Sequence, residues 1–164
     1  PIVYPTYSHD MNYEPEVAVV MGRIAKNVPV DKAMDYVLGF TCVNDVTLRD
    51  LQGSDPMWTR AKGFDTSCPL GPWIVTKDEF DWRDARIGFT LNGEDVPAAS
   101  GTTANLIHNI AEQIAGISSF STLLPGDVIM TGTPNASGTL KPGDEAIVRV
   151  EGIGELRNVV VQGE

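Results

Sequence analysis

Short runs of β-branched and other apolar residues, separated by glycine and proline, recur along the whole chain. The 164 residues include 16 glycines and 11 prolines, and these turn formers bound short strands rather than long helices. The pattern predicts strands at residues 14–22, 40–45, 68–76, 86–91, 128–131, 145–150 and 156–161. We therefore expect a mainly β protein with few helices, of the α+β class, that forms one domain over residues 1–164.

Two local signals refine this expectation. Asn92-Gly93 follows a predicted strand and indicates a tight β-hairpin, because both residues tolerate the positive φ angles of a type I′ turn. The strongest helical pattern covers residues 103–117, where apolar residues recur at helical spacing and Thr102 or Thr103 can cap the N-terminus. The sequence thus predicts one principal helix among many strands.

Charge and hydropathy exclude several classes of function. The net charge is −10, which disfavours nucleic acid and anionic membranes as partners, since both require a basic surface. No apolar run approaches the roughly 18 residues of a membrane span, and no signal peptide is recognisable. We expect a cytoplasmic protein in which Cys42 and Cys68 are reduced core residues.

Three acidic residues form the most informative cluster. Glu14 and Glu16 lie two positions apart on a predicted strand, so both side chains point to one face, where they repel unless a cation lies between them. Asp45 ends a strand that can pair beside the first. This set favours a hard cation, Mg²⁺ with Mn²⁺ or Ca²⁺ as substitutes, over Zn²⁺. A solvated acidic face remains an alternative interpretation at this point.

Several basic residues are candidates for substrate contacts. Lys62 lies among aromatic residues and glycines, where it can be a surface lysine with a buried stem or a fixed cation that faces a carboxylate or a developing enolate. Arg49 can play the same part with two parallel hydrogen bonds. His108 falls in the predicted helix and is expected to be structural or exposed, and a role for His9 has little support.

Longer motifs resemble the fumarylacetoacetate hydrolase family. They occur in the family's order from about Tyr4 to Val161, and they read YEPEVAVVMGR, DYVLGFTCVNDVTLRDLQ, WTRAKGFDTSCPLGPWIV, LNGE, LLPGDVIMTGTP and KPGDEAIVRVEGIGELRNVV. The resemblance implies a mixed β-roll or distorted β-barrel, usually as a homodimer. It implies Mg²⁺ or Mn²⁺ bound by Glu14, Glu16 and Asp45.

The resemblance also assigns the surroundings of the metal. The implied substrate-binding residues are Arg49, Gln52, Lys62 and Thr133, of which Lys62 is also catalytic. Thr66 matches a family position close to the metal. Residues 135–137 depart from the Gly-Val-Gly that often follows the TGTP motif of the family.

The activity implied is metal-dependent cleavage of a C–C bond in small 2-oxo or 2,4-dioxo acids, through a metal-stabilised enolate. The reaction is either hydrolysis of an acylpyruvate or decarboxylation of oxaloacetate. One alternative is a 2-hydroxyhepta-2,4-diene-1,7-dioate (5-carboxymethyl-2-hydroxymuconate) isomerase, and another is a non-catalytic domain that binds metal or a dicarboxylate. Family hydrolases carry a His–Glu lid pair upstream of the first metal ligand. The 13 residues before Glu14 contain no such pair, so we expect decarboxylation to be favoured over hydrolysis.

Overall fold

The computed structural model describes residues 1–134 and 137–164, and β-structure dominates them. The strands β1–β13 are, in chain order, Ile2–Tyr4, Met11–Tyr13, Pro15–Met21, Val37–Asn44, Thr47–Leu48, Leu70–Thr76, Arg86–Leu91, Glu94–Asp95, Gly101–Thr102, Val128–Met130, Gly138–Thr139, Glu145–Val150 and Gly154–Gln162. The α-helices α1–α3 are Arg49–Gln52, Thr59–Lys62 and Ile110–Phe120, and 3-10 turns occupy Val30–Tyr36, Pro97–Ala99 and Thr103–Asn105. The predicted mainly β class is confirmed.

The strands form three sheets. The largest has the order β1-β13-β12-β7-β8, with β9 paired to β7; the second has the order β10-β3-β4-β6, and the third β11-β2-β5. β1 runs parallel to β13, whereas the other pairs are antiparallel. Only the largest sheet is mixed, and within the described residues each sheet is open at its edges, so the expected distorted barrel is not closed.

The core lies between these sheets and beneath α3. Phe40 on β4 and Phe89 on β7 are fully buried, and their rings meet Phe80 and Tyr13 at centroid distances of 4.8 and 4.0 Å respectively. Burial of such large aromatic surfaces is a main source of stability in a fold of short strands. β3 is buried along its whole length. Glu14, the residue just before β3, is therefore attached to a firmly packed strand.

The Asn-Gly hairpin is confirmed. Asn92 and Gly93 connect β7 to β8, and their φ angles of 54° and 83° are both positive, as the turn requires. This turn orders the edge of the largest sheet.

The predicted helix at 103–117 is wrong in its first part. The α-helix begins only at Ile110, where the side chain of Asn109 accepts a hydrogen bond from the Glu112 backbone N–H and the Glu112 carboxylate accepts one from the Asn109 N–H. This reciprocal cap starts the helix later than the apolar spacing suggests. Ile107, one of the apolar residues of that spacing, is 93% exposed. None of the described helices combines the length and the apolar character needed to cross a membrane.

Candidate functional site

The three acidic residues of the sequence cluster come together in the structure. One carboxylate oxygen from each of Glu14, Glu16 and Asp45 lies within 4.8 Å of the other two. All three residues are buried, with 7%, 2% and 6% of their surface exposed. A solvated acidic face is therefore the wrong interpretation, because these carboxylates lie inside the protein.

Pairing of β3 with β4 brings these residues together. Glu16 lies opposite Val43 in the antiparallel ladder, so the start of β3 meets the end of β4. Beyond the ladder, the Asp45 N–H donates to the Glu14 carbonyl at 2.9 Å, and the Glu14 N–H donates to Asn44 Oδ1 at 2.8 Å. The backbones that carry two of the carboxylates are thus bonded directly to each other.

Two cations face the carboxylates from the short helices. Lys62, the last residue of α2, donates from Nζ to Glu14 Oε2 at 2.8 Å and also to Asp45 Oδ2. Arg49, the first residue of α1, donates from Nη2 to Glu14 Oε1. Among the described residues, Glu16 forms no ion pair with a cation, so part of the negative charge remains without a cationic partner.

Burial shifts the protonation of this cluster. It raises the pKa of Glu16 to about 8, a rise that the Gly132 N–H opposes by donating to Oε2 at 2.7 Å and that the charges of Asp45 and Glu14 increase. Burial also raises the pKa of Asp45, although Lys62 opposes it. For Lys62, burial acts to lower the pKa, but hydrogen bonds and charges from Asp45 and Glu14 outweigh it and raise the pKa. Lys62 is therefore an ammonium group at neutral pH.

The donor set fits a hard divalent cation. Three buried carboxylates supply oxygen ligands of the kind that Mg²⁺, Mn²⁺ and Ca²⁺ prefer. Asp45 Oδ1 is buried and has no hydrogen-bond partner within the described residues, which is costly unless a ligand or solvent satisfies it. A cation at this point would satisfy Asp45 Oδ1 and offset the repulsion that raises the pKa of Glu16.

The other residues with predicted roles differ in their contacts with the site. Gln52 Oε1 accepts from Arg49 Nη1 at 2.8 Å, so it fixes the guanidinium. Thr133 Oγ1 is buried without a hydrogen-bond partner in the described part of the chain. Thr66 is exposed, and its hydroxyl accepts from the Val3 N–H at 2.8 Å; none of its hydrogen bonds within residues 1–134 and 137–164 reaches the three carboxylates.

Sequence reasoning missed three residues that hold the site together. Gly132 and Asn44 bond Glu16 and Glu14 as described, and Ser137 Oγ accepts from Arg49 Nη2 at 2.7 Å. Asn44 carried a usable signal, because an asparagine beside a strand end commonly bonds a nearby backbone group. Residues 135 and 136 of the unusual segment after TGTP lie outside the described residues.

Cys68 lies near this cluster. It was expected in the core, and that prediction is wrong. It is exposed overall, whereas Cys42 is buried, and both are free thiols. Partial burial of the Cys68 thiol raises its pKa, and the charges of Asp45 and Glu16 add to this effect. The thiol therefore lies within electrostatic reach of the carboxylates.

Comparison with known proteins identifies the family of this chain. The family model described as fumarylacetoacetate (FAA) hydrolase C-terminal matches residues 1–161. The mitochondrial oxaloacetate tautomerase FAHD2A of Homo sapiens is 41% identical over 170 residues, an alignment that covers 98% of this chain and 54% of that protein.

Two solved structures share the fold. The 5-carboxymethyl-2-hydroxymuconate delta-isomerase from Mycobacterium smegmatis is 44% identical with a TM-score of 0.95, covering 100% of this chain and 64% of that one. A fumarylpyruvate hydrolase from Pseudomonas aeruginosa, in complex with Mn²⁺ and pyruvate, is 31% identical with a TM-score of 0.92, covering 99% and 70%. The chain spans 61% of the length of a Mycobacterium tuberculosis relative that is 46% identical. It belongs to the fumarylacetoacetate hydrolase family and matches that family's C-terminal domain.

Proposed function

We propose that this chain binds a divalent cation through Glu14, Glu16 and Asp45 and cleaves a C–C bond in small 2-oxo or 2,4-dioxo acids. The buried carboxylate triad is the observation that supports the proposal, because its oxygens converge where Lys62 and Arg49 also point. Mg²⁺ is the proposed cation, with Mn²⁺ or Ca²⁺ as substitutes; the relative with Mn²⁺ and pyruvate supports the same chemistry.

The chain's own residues would bind and orient the substrate. When bound, the cation supplies Lewis acidity that polarises a 2-oxo oxygen. Lys62 adds a fixed ammonium charge beside that oxygen, and preorganised positive charge of this kind stabilises a developing enolate. The guanidinium of Arg49, held by Gln52, suits a substrate carboxylate, and the unpartnered hydroxyl of Thr133 can donate a further hydrogen bond to it.

Decarboxylation of oxaloacetate fits these residues best. The C3–C4 bond breaks and C4 leaves as CO₂. The electron pair of that bond moves toward the 2-oxo oxygen to form the enolate, and C3 then takes a proton from water. This route needs positive charge at the oxygen, which Lys62 provides. Hydrolysis of an acylpyruvate also needs a base that activates water. Neither Lys62 nor Glu14 suits that part, because Lys62 is an ammonium group and Glu14 already accepts hydrogen bonds on both of its carboxylate oxygens.

Isomerisation is the second candidate, and the names of the relatives favour it. A chain 44% identical to a 5-carboxymethyl-2-hydroxymuconate delta-isomerase and 41% identical to an oxaloacetate tautomerase can use the same enolate and return the proton to a different atom. This reaction would act on a 2-hydroxyhepta-2,4-diene-1,7-dioate type of substrate. The third candidate function is that of a domain that binds metal or a dicarboxylate without turnover.

Calorimetry and a substrate panel test the proposal. Mn²⁺ should bind the wild-type chain and fail to bind Asp45→Asn, while Asp35→Asn, a change at an exposed carboxylate on a distant 3-10 turn, should bind as wild type does. Identical isotherms for wild type and Asp45→Asn would remove the metal site. Oxaloacetate decarboxylation should exceed acylpyruvate hydrolysis in parallel assays of the loaded protein, and the reverse order would contradict the proposed reaction.

We also propose that the chain acts as a homodimer. The sheet β10-β3-β4-β6 exposes large apolar side chains, among them Leu38, Trp73, Ile74 and Val128, and Trp73 is 61% exposed. Apolar groups that cluster on one exposed sheet are typical of a surface that another chain covers. A second copy is the proposed occupant, as the family resemblance implies.

A further inference from the structure

Lys62 lies at the end of a helix that is too short to fix its position. α2 contains only four residues, Thr59–Lys62, and a single helical turn is not stable by itself, because it costs more conformational entropy than its hydrogen bonds return. The last carbonyl groups of a helix also have no partner within it. The Lys62 ammonium nevertheless bonds both Glu14 and Asp45, with its side chain only 24% exposed. Bonds from outside α2 must therefore hold this lysine.

Ser67 supplies one of these bonds. Its hydroxyl donates to the Lys62 carbonyl at 2.6 Å, so it satisfies a carbonyl group at the C-terminal end of α2. Ser67 is buried, with 5% of its surface exposed, which leaves its hydroxyl little access to water as an alternative partner. Loss of the hydroxyl would leave the end of α2 without this support.

The backbone of Ser67 bonds the other side of the same ion pair. The Val46 N–H donates to the Ser67 carbonyl at 2.9 Å, and Val46 directly follows Asp45, whose Oδ2 accepts from Lys62 Nζ. Ser67 is thus bonded to Lys62 through its side chain and to the neighbour of Asp45 through its backbone. These bonds and the ion pair close a ring, which fixes the ammonium relative to the Asp45 carboxylate.

The segment that carries Lys62 has a costly backbone conformation at each end. Thr66 has a φ angle of 68°, in the left-handed region that β-branched residues rarely adopt. Trp58, directly before α2, has a φ angle of 54°, which is equally unusual for a bulky residue. Strain of this kind persists only where the surrounding contacts enforce it, and it is common at functional sites. The surrounding bonds, and not the local preference of the segment, therefore set its shape.

We propose that Ser67 is a positioning residue for the reaction, and that its hydroxyl holds Lys62 where the ammonium meets the developing enolate. In the part of the chain that the structure describes, Ser67 bonds Lys62, Phe64 and Val46, and none of its hydrogen bonds reaches the carboxylate triad. It therefore acts through Lys62. This inference rests on the proposed function, in which Lys62 stabilises the enolate, and a charge does so most effectively when it is held in place beforehand.

Two variants of the same shape isolate the hydroxyl. Ser67→Thr keeps the donor, whereas Ser67→Val carries a methyl group in its place, so any effect of added volume is common to both. In oxaloacetate decarboxylation by the Mn²⁺-loaded chain, kcat should be about tenfold lower for Ser67→Val than for Ser67→Thr, as expected for the loss of one hydrogen bond. KM and the affinity for Mn²⁺ should be equal in the two variants. Equal kcat values would overturn the proposal.

A double-mutant cycle separates an effect through Lys62 from a general loss of structure. In a Lys62→Met background, Ser67→Val and Ser67→Thr should have the same kcat, because no ammonium remains to be positioned. A tenfold difference that persists in this background would show that Ser67 acts by another route, and the proposal would fail.

Ser118→Ala is the matched control for a buried serine. Ser118 is fully buried, and its hydroxyl donates to the Ala115 carbonyl in α3, so its replacement removes a bond of the same kind away from Lys62. This variant should lower the melting temperature and leave kcat unchanged. If kcat falls as far in Ser118→Ala as in Ser67→Val, the effect at Ser67 is one of general stability and the proposal is wrong.

Nuclear magnetic resonance of the metal-free chain gives a measurement that does not depend on turnover. Protons held in hydrogen bonds exchange with water only when those bonds open, and the ammonium signal of Lys62 is identified by its absence from Lys62→Met. That signal should be sharp in the wild type and in Ser67→Thr, and broadened by exchange in Ser67→Val. An unchanged signal in Ser67→Val would overturn the proposal.

The outcomes separate this inference from the proposed function. If the wild type decarboxylates oxaloacetate and the two Ser67 variants do so equally, the role of Ser67 fails while the proposed function stands. If the loaded wild type turns over no 2-oxo acid, the proposed function fails and the role of Ser67 in it fails as well. Circular dichroism verifies that the variants fold, and Ser67→Ala, which adds no volume, replaces Ser67→Val if that variant does not.

Discussion

The backbone N–H of Gly132 donates a 2.7 Å hydrogen bond to Oε2 of Glu16, a residue 116 positions earlier in the chain. A backbone donor cannot turn away as a side chain can, so the orientation of this carboxylate is fixed by the fold itself. The bond also lowers the pKa of Glu16, but burial and the charges of Asp45 and Glu14 dominate and place it at about 8.

Stability without metal should depend on the protonation of Glu16. Its folded pKa of about 8 lies above the ordinary value of 4.5, so the folded state favours the protonated form. The corresponding stability is fully present below pH 4.5 and is lost as the pH rises through about 8. Urea unfolding of the metal-free chain should give a free energy of unfolding that falls between pH 5 and pH 8.

Glu16→Gln is the control for this titration, because its amide stays neutral at every pH. The variant should flatten the decline over that interval, and an unchanged slope would contradict the assignment to Glu16. Mn²⁺ should reverse the trend in the wild type, since the cation binds the deprotonated carboxylate and its affinity therefore rises with pH.

Lys62 should matter for the reaction and little for metal binding. Lys62→Met removes the ammonium group that bonds Glu14 and Asp45, so Mn²⁺ affinity should stay equal or increase. Oxaloacetate turnover should fall roughly 10²–10³-fold, the usual loss when one preorganised charge donor is removed. Lys77→Met, which removes a lysine that bonds the Met34 carbonyl elsewhere, should leave both measurements unchanged. Loss of metal binding in Lys62→Met would argue against this division of roles.

Gly39 should tolerate no side chain. A Cβ atom at this residue of β4 would lie 2.2 Å from the Val75 carbonyl oxygen on the neighbouring strand β6. Gly39→Ala should therefore separate β4 from β6 and cost about 1–3 kcal/mol in the free energy of unfolding. Gly88→Ala on β7 is the matched control, because its nearest neighbour is 3.9 Å away, and equal losses in the two variants would refute the steric explanation.

Trp73 should decide the oligomeric state. Trp73→Lys places a charge on the exposed apolar part of the sheet β10-β3-β4-β6, where burial by a second copy would leave it unpaired. Sedimentation velocity should show a dimer for the wild type and a monomer for this variant. Phe120→Lys, at a residue 78% exposed at the end of α3, should remain dimeric. A monomeric wild type would contradict the dimer proposal.

Local chemistry made part of the structure predictable. The Asn92-Gly93 turn follows from the φ angles that these two residues allow, and the convergence of Glu14 with Glu16 follows from the two-residue period of a strand. The approach of Asp45 was inferred from the pairing of neighbouring strands. These features are predictable because each depends on residues that are close in sequence or on strands that are consecutive.

Other features depend on interactions that the spacing of apolar residues does not reveal. The apolar spacing at residues 103–117 predicted a helix, but the reciprocal cap of Asn109 and Glu112 sets the start at Ile110. The N-x-x-E pattern was present in the sequence and would have located it. Partners such as Gly132 reach the site through sheet pairing across more than a hundred residues, and no local pattern encodes that contact.

The parallel pairing of β1 with β13 has a consequence for how the chain folds. Residues 2–4 must find residues 160–162, and contacts so distant in sequence close late and slowly. The bond from Gly132 to Glu16 also joins residues 116 positions apart, so we expect Glu14, Glu16 and Asp45 to meet as like charges before Gly132 is fixed beside them. A divalent cation present at that stage would screen their repulsion, so refolding in Mn²⁺ should proceed faster than refolding in a chelator.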